Sequence, residues 1–203
     1  MKKKKHNAPQ KGQKIKVEPI TDLEHIKLIK RMLENEPRNL ALFVVGINTA
    51  LRASDLVRIK TEQVRNMQGD HHEIELKEKK TKKNKRVTLN PACVKVIKNL
   101  LATKRFRRKN PKYLFCSRKQ SGQDPLYVSS VHRLVKSWCK TINLKGNYGS
   151  HSLRKTWGYH KRVTYKTDIP TLMVCLNHSN QKQTLDYLCI QPEEIKEVYM
   201  SEL

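Results

Sequence analysis

The sequence predicts a mainly α-helical α+β domain with one small antiparallel sheet. Two patterns carry this: apolar residues recur at three- and four-residue intervals through most of the chain, and residues 72–89 switch to alternation of period two. The length of 203 residues allows one domain with a real hydrophobic core, or at most two small ones.

The first helix is predicted in "PITDLEHIKLIKRML". There Thr21 and Glu24 have capping-box spacing and Leu23, Ile26, Ile29 and Leu33 fall on one face. "NLALFVVGIN" is apolar on every face, which predicts a helix buried against several neighbours. "TALRASDLVRIK" then reads as a tight turn, with Arg52 at the turn, into a helix carrying Leu56 and Ile59. In "HEIELKEKK" Ile74 and Leu76 alternate with charged residues, in "KRVTL" Val87 and Leu89 alternate, and "KTKKN" between them predicts a β-hairpin.

Pro91 opens the next helix, striped by Val94, Ile97, Leu100 and Leu101, and "TKRFRRKNPK" reads as a basic connection. "YLFCS" is a short extended core segment, followed by a helix with Val131, Leu134, Val135 and Trp138 on one face. Ser150 is the expected cap of "HSLRKTWGYH". Asp168 is the expected cap of "IPTLMVCL", which should close at Asn177, a residue tolerant of the left-handed conformation. "HSNQKQTLDYLCI" and a last helix, "QPEEIKEVYMSEL", complete the chain, with no internal repeat and no long linker.

Forty-three Lys and Arg against 18 Asp and Glu leave a formal charge of +25, which points to a polyanionic partner, nucleic acid first. The longest apolar run, Leu40 to Ile47, is too short to span a bilayer, and no lipidation signal is present. Five cysteines without a CxxC pair encode neither a zinc ribbon nor a disulfide scaffold, so a reduced cytoplasm fits best. Residues 1–17 read as a flexible basic arm, either a nucleic-acid contact or a solubilising tail, and lack the apolar core of a secretory signal.

Several residues suggest chemistry. His151 and Arg154 share a face in the first turn of their helix, where free N–H groups and the macrodipole favour an anion; they read either as a phosphate site or as an exposed basic turn. Arg52 follows the apolar "INTAL", so its guanidinium should emerge beside the core where something must pair with it, and Asp55 is the expected orienting partner. The "KKTKKN" turn can project a lysine. His178 comes just after a helix end and Tyr187 nine residues later. The acids are sparse, with Glu73 and Glu75 at solvated strand positions, and His71-His72 lacks further ligands, so no metal is expected.

Together these segments resemble the tyrosine recombinases, the phage integrase family. "TALRASDLVRIK" looks like the family's first-arginine motif, "HSLRKT" like its His-x-x-Arg motif, and "LNHSNQKQTLDY" like the segment ending in its nucleophilic tyrosine. "KEKKTKKNKRVTL" resembles its lysine turn and "YLFCSRKQSGQDPL" the strand and loop that follow. The resemblance covers residues 18–192 and implies the fold of the DNA breaking-rejoining enzymes, with residues 18–203 as the catalytic domain. It further implies that Arg52 and Arg154 grip the scissile phosphate with His151 and His178, and that Tyr187 is the nucleophile. Lys80 best matches the general-acid lysine, in competition with Lys77, Lys79, Lys82 and Lys83.

No cofactor is implied. The implied partners are double-stranded DNA and further copies of the chain, assembled as a tetramer, with accessory DNA-bending proteins as additional candidates. The helix within residues 191–203 is expected to dock on a neighbouring subunit or on its own domain. Ala50 and Asn177 stand where the family usually has glycine, and only a basic arm precedes Thr21 where the family usually carries a DNA clamp, from which weaker and less selective DNA binding is expected. Two other readings remain at this point: a DNA-binding protein that keeps the phosphate site without recombining, and a type IB topoisomerase.

Overall fold

The computed structural model describes residues 17–117, 123–188, 190 and 192–202. The arm at residues 1–16 and the loop at 118–122 therefore lie outside the described residues. Those described hold one two-stranded sheet, a 3-10 turn at Thr61–Val64 and ten α-helices: α1 (Leu23–Met32), α2 (Pro37–Asn48), α3 (Ala53–Leu56), α4 (Pro91–Ala102), α5 (Lys104–Lys109), α6 (Val128–Thr141), α7 (Ser150–Val163), α8 (Ile169–Leu176), α9 (Gln181–Leu188) and α10 (Pro192–Met200). Strands β1 (His72–Lys77) and β2 (Asn84–Leu89) pair antiparallel, with Ile74 opposite Val87 and Leu76 opposite Lys85.

Helix α2 is the central element. Ala41 to Ile47 are all buried, so the helix presents apolar surface on every side and packs against α1, α4 and α7. It meets α7 at Gly46, where an added Cβ would lie 2.6 Å from Leu153 Cδ1; only a residue without a side chain permits this approach. Helix α4 begins where α2 ends, through the Asn90 Nδ2 donation to Asn48 Oδ1 at 2.9 Å. The main core gathers Ile29, Leu33, Phe43, Val45, Leu56, Ile74, Leu89, Ile97, Phe115 and Val135. A smaller core of Ala50, Trp157, Leu172, Leu176 and Leu188 binds α7, α8 and α9 to one another.

The N-terminal segment is fastened to α7. Thr156 Oγ1 accepts from the Ile20 amide at 2.8 Å, and His160 Nε2 lies 3.0 Å from the Ile20 carbonyl. At the other end of the chain, Arg162 of α7 pairs with Glu194 of α10.

Several local expectations need correction. The cap of α1 is Asp22, whose carboxylate accepts from the Glu24 amide at 2.8 Å, and not Thr21; a carboxylate one residue closer satisfies the same orphan donors. Leu23 is half exposed, so the buried stripe starts at Ile26. Helix α3 is a single turn that ends before Ile59. The basic "TKRFRRKNPK" contains helix α5, capped by Thr103 and closed by Asn110 at φ 40°. "YLFCS", by contrast, is the short extended core segment expected, with Leu114 and Phe115 fully buried and Tyr113 and Cys116 bridged antiparallel to Lys60 and Pro125. Gly149 precedes α7 as its cap, while Ser150 is its first helical residue; Ser152 Oγ accepts from the Gly149 amide at 3.0 Å.

Candidate active site

The residues marked in the sequence converge where the C-terminal end of α2, the N-terminal turn of α7, the end of α8 and helix α9 meet. Arg52 immediately precedes α3. His151 and Arg154 come from the first turn of α7, where spacing of three places both on one side. Helix α8 ends at Asn177 with φ 52°, and that reversal delivers His178. Helix α9 starts with Asn180 Oδ1 accepting from the Gln183 amide at 3.0 Å and carries Tyr187 one residue before the buried anchor Leu188. Ala50 lies at φ 53°, in the left-handed region that favours glycine, so both departures from the family pattern occupy glycine-like backbone.

Tyr187 is partly exposed, and its hydroxyl lies 2.8 Å from His151 Nδ1. Partial enclosure, followed by Arg154, Lys155, Arg52 and Lys80, holds the His151 pKa below the ordinary histidine value. The imidazole is therefore neutral at pH 7, and an unprotonated Nδ1 can accept the phenolic hydrogen. Around the same ring stand Arg154, with Cζ 5.3 Å from the ring centroid, Lys155, with Nζ 5.8 Å away, and His178, at 5.4 Å between centroids.

Arg154 is 1% exposed. Its Nη2 donates to the Leu176 carbonyl at 2.5 Å and reaches His178 Nε2 at 3.2 Å. An arginine only donates, so His178 Nε2 accepts, and the ring hydrogen is on Nδ1, 3.1 Å from Thr184 Oγ1. Burial, then the Arg154, Arg52 and Lys85 charges, push the His178 pKa down to about 4. Burial, then Arg52 among its cationic neighbours, likewise pushes Arg154 down to about 10, which leaves it charged at neutral pH.

The other two donors of Arg154, Nε and Nη1, are buried and without a hydrogen-bond partner. Leaving a buried donor unpaired costs about 1–3 kcal/mol, and more for a charged group, so both atoms call for an acceptor such as water or a bound anion. Forked guanidinium donors beside a second arginine and two imidazoles match a phosphate diester.

Arg52 is held by a residue the sequence reading missed. Its Nη1 lies 2.7 Å from Oε1 of Glu78, whose side chain is 0% exposed. Asp55, the expected partner, instead accepts from the Lys79 amide at 2.9 Å through Oδ1. Helix α3 turns the Asp55 carboxylate toward the hairpin, and the end of β1 brings Glu78 into the space beside Arg52. Glu78 had no distinguishing signal within "KEKK"; its position as the inward residue after alternating Ile74 and Leu76 was the only trace.

Lys80 stands exposed at the hairpin turn, close enough to His151 to contribute to its depressed pKa. Lys85, also unmarked in the sequence, faces inward from β2 and donates to the Cys175 carbonyl at 2.7 Å. Burial, then Arg154, push its pKa down to about 8. Among the described residues, no group of three or more His, Cys, Asp or Glu stands together as a metal site, and no helix is long and apolar enough to cross a membrane.

The phage integrase family model matches residues 10–194. The chain is 32% identical over 184 residues to the probable integrase/recombinase YoeC of Bacillus subtilis, covering 90% of this chain and 95% of that one. It is 29% identical over 167 residues to the tyrosine recombinase XerC of Caldanaerobacter subterraneus, covering 79% of this chain and 43% of that one. In fold it resembles the XerH site-specific recombinase in a post-cleavage complex with a palindromic difH substrate, with a TM-score of 0.73 at 18% identity, covering 92% of this chain and 53% of that one.

Proposed function

Because the chain belongs to the phage integrase family, we propose that its cluster of Arg52, Lys80, His151, Arg154, His178 and Tyr187 cleaves and rejoins double-stranded DNA at specific sites through a covalent 3′-phosphotyrosine. The observation that carries this reading is the pair of buried, unpaired Arg154 donors within reach of the Tyr187 ring.

In the proposed step the Tyr187 oxygen attacks phosphorus and the bond to the 5′ oxygen breaks. A free phenol ionises near pH 10, so the proton must leave as attack proceeds, and His151 Nδ1 at 2.8 Å is placed to take it. Arg52 and Arg154 donate to the non-bridging oxygens, whose charge grows toward the five-coordinate transition state. Lys80 gives a proton to the leaving 5′ oxygen. Rejoining reverses the path: a 5′ hydroxyl attacks the phosphotyrosine, and Tyr187 recovers its proton. The residues need no nucleotide cofactor for this exchange, because the phosphotyrosine retains the energy of the broken ester.

Strand exchange requires four such sites, hence a tetramer on DNA. Helix α10 supports that assembly: Ile195, Val198, Tyr199 and Met200 are exposed on it, available to a neighbouring copy, while Glu194 ties it to its own domain. Accessory DNA-bending proteins and action in the cytoplasm complete the proposal.

The test is a nicked DNA substrate that traps the covalent intermediate, with Tyr187→Phe alongside. An adduct in the parent chain and none in the variant is the expected result. No tyrosine-dependent adduct would leave only DNA binding, and supercoil relaxation without exchange between paired sites would point to a topoisomerase.

A further inference from the structure

We propose that Glu78 is a positioning residue: it clasps the Lys80 turn to the Arg52 turn, so that proton donor and phosphate-binding guanidinium meet the DNA as one unit. This inference rests on the recombinase reading above.

The argument starts from burial. A fully enclosed carboxylate gives up its hydration, and that loss is offset only where several oriented donors replace water. Glu78 has three. Thr81 Oγ1 donates to Oε2 at 2.6 Å, Asn177 Nδ2 donates to Oε2 at 2.8 Å, and Arg52 Nη1 lies 2.7 Å from Oε1. Enclosure alone would raise the carboxyl; Thr81, Arg52 and Asn177 outweigh it and hold Glu78 below the usual carboxylate range, so it is charged at neutral pH.

These partners come from three separate places in the chain. Arg52 precedes α3, Thr81 belongs to the hairpin turn, and Asn177 closes α8 immediately before His178. The turn itself is closed by the Glu78 amide donating to the Lys83 carbonyl and the Lys82 amide donating to the Glu78 carbonyl, both at 3.0 Å. Lys80 therefore sits between two restrained neighbours: the Lys79 amide is held by Asp55 and the Thr81 hydroxyl by Glu78. An exposed lysine on a short polar hairpin would otherwise sample many positions, and proton transfer tolerates little misplacement. Core stability alone does not call for a carboxylate here, since a buried ion pair seldom stabilises more than apolar packing of equal volume.

The experiment compares two trapping substrates, one with the natural 5′ oxygen at the scissile bond and one with sulfur in its place. A thiolate leaves without a proton, because thiols ionise near pH 8.5, so the sulfur ester bypasses the proton donor while still needing both arginines. Thr81→Val cuts only the hairpin arm of the clasp, Thr81→Ser keeps it, and Glu78→Ala cuts every arm. The ratio of sulfur to oxygen cleavage rates is expected to rise by at least roughly 10-fold in Thr81→Val and in Glu78→Ala, as general-acid contributions of that order or larger imply. Thr81→Ser should match the parent chain, and Glu78→Ala should also slow the sulfur ester, because Arg52 loses its partner.

A ratio unchanged in Thr81→Val overturns the proposal. If Glu78→Ala fails to fold, the Thr81 pair decides alone. A parent chain that forms no adduct even on the sulfur ester overturns the recombinase reading and this inference with it, whereas an active parent with an unchanged ratio overturns the inference only.

Discussion

The Tyr187 hydroxyl and His151 Nδ1 are 2.8 Å apart across the gap between α9 and α7. A phenol and a neutral imidazole at that separation form a proton path, and its direction depends on pH. His151 must be unprotonated to accept, and its pKa is held below the ordinary 6.5 by enclosure and neighbouring cations. The second-order rate constant for cleavage, which reports the free enzyme, is therefore expected to be flat at pH 7 and to fall as pH drops below 6.5. His151→Asn should be slower throughout and lose that acid limb. A limb of unchanged shape in the variant would remove His151 from the proton path.

Arg154 supplies a fork that lysine cannot reproduce. Arg154→Lys is expected to lower the cleavage rate by about 100-fold or more, the range found for deleting one preorganised donor at a developing oxyanion. Its unpaired Nε and Nη1 also predict a response without DNA: sulfate should raise the melting temperature of the parent chain but not of Arg154→Met. Equal sulfate responses would place the anion elsewhere.

His178 couples acid to stability. The unfolded imidazole titrates near 6.5 and the folded one near 4, so the folded state binds fewer protons between those values. Stability is thus full above pH 6.5 and declines as pH falls toward 4, by at most about 3 kcal/mol. Chemical denaturation of the DNA-free protein at pH 7 and pH 4.5 should show this loss, and His178→Gln should reduce it.

The two lysines on opposite sides of the hairpin separate by chemistry. Lys80→Ala is expected to cost about 100-fold or more on an oxygen ester and to recover on the sulfur ester. Lys85→Ala should cost less than about 10-fold and show no sulfur recovery, because its ammonium is turned inward to the Cys175 carbonyl. If Lys85→Ala is the variant that sulfur restores, the proton donor is Lys85.

Packing of α2 on α7 predicts a stability effect remote from the chemistry. Gly46→Ala gains roughly 1 kcal/mol of helix propensity but drives a Cβ to 2.6 Å from Leu153 Cδ1 and 3.2 Å from its Cβ. Overpacking of that kind costs about 1–3 kcal/mol, so net destabilisation on the order of 1 kcal/mol should appear in denaturant melts. Because Leu153 lies between His151 and Arg154, cleavage should slow as well.

Local pattern carried much of this protein. The periodicities of "NLALFVVGIN" and "HEIELKEKK", the Asp168 cap and the left-handed close at Asn177 are properties of neighbours in the chain, and so is the spacing that sets His151 and Arg154 on one face. Where local signals compete, the chain alone does not decide between them. Asp22 and Thr21 are both good caps, and the run of cations in "TKRFRRKNPK" concealed a helix with only one apolar anchor, Phe106.

The amino-acid order by itself determined most of the elements, the excess of positive charge and the residue types available for a phosphate. Tertiary structure alone decided that Glu78 and not Asp55 holds Arg52, that Lys85 reaches the Cys175 carbonyl, and that two donors of Arg154 remain open. The reason is geometric: a sequence period fixes which face of an element a side chain occupies, whereas a salt bridge depends on where the end of a hairpin, a single helical turn and the close of α8 arrive in space.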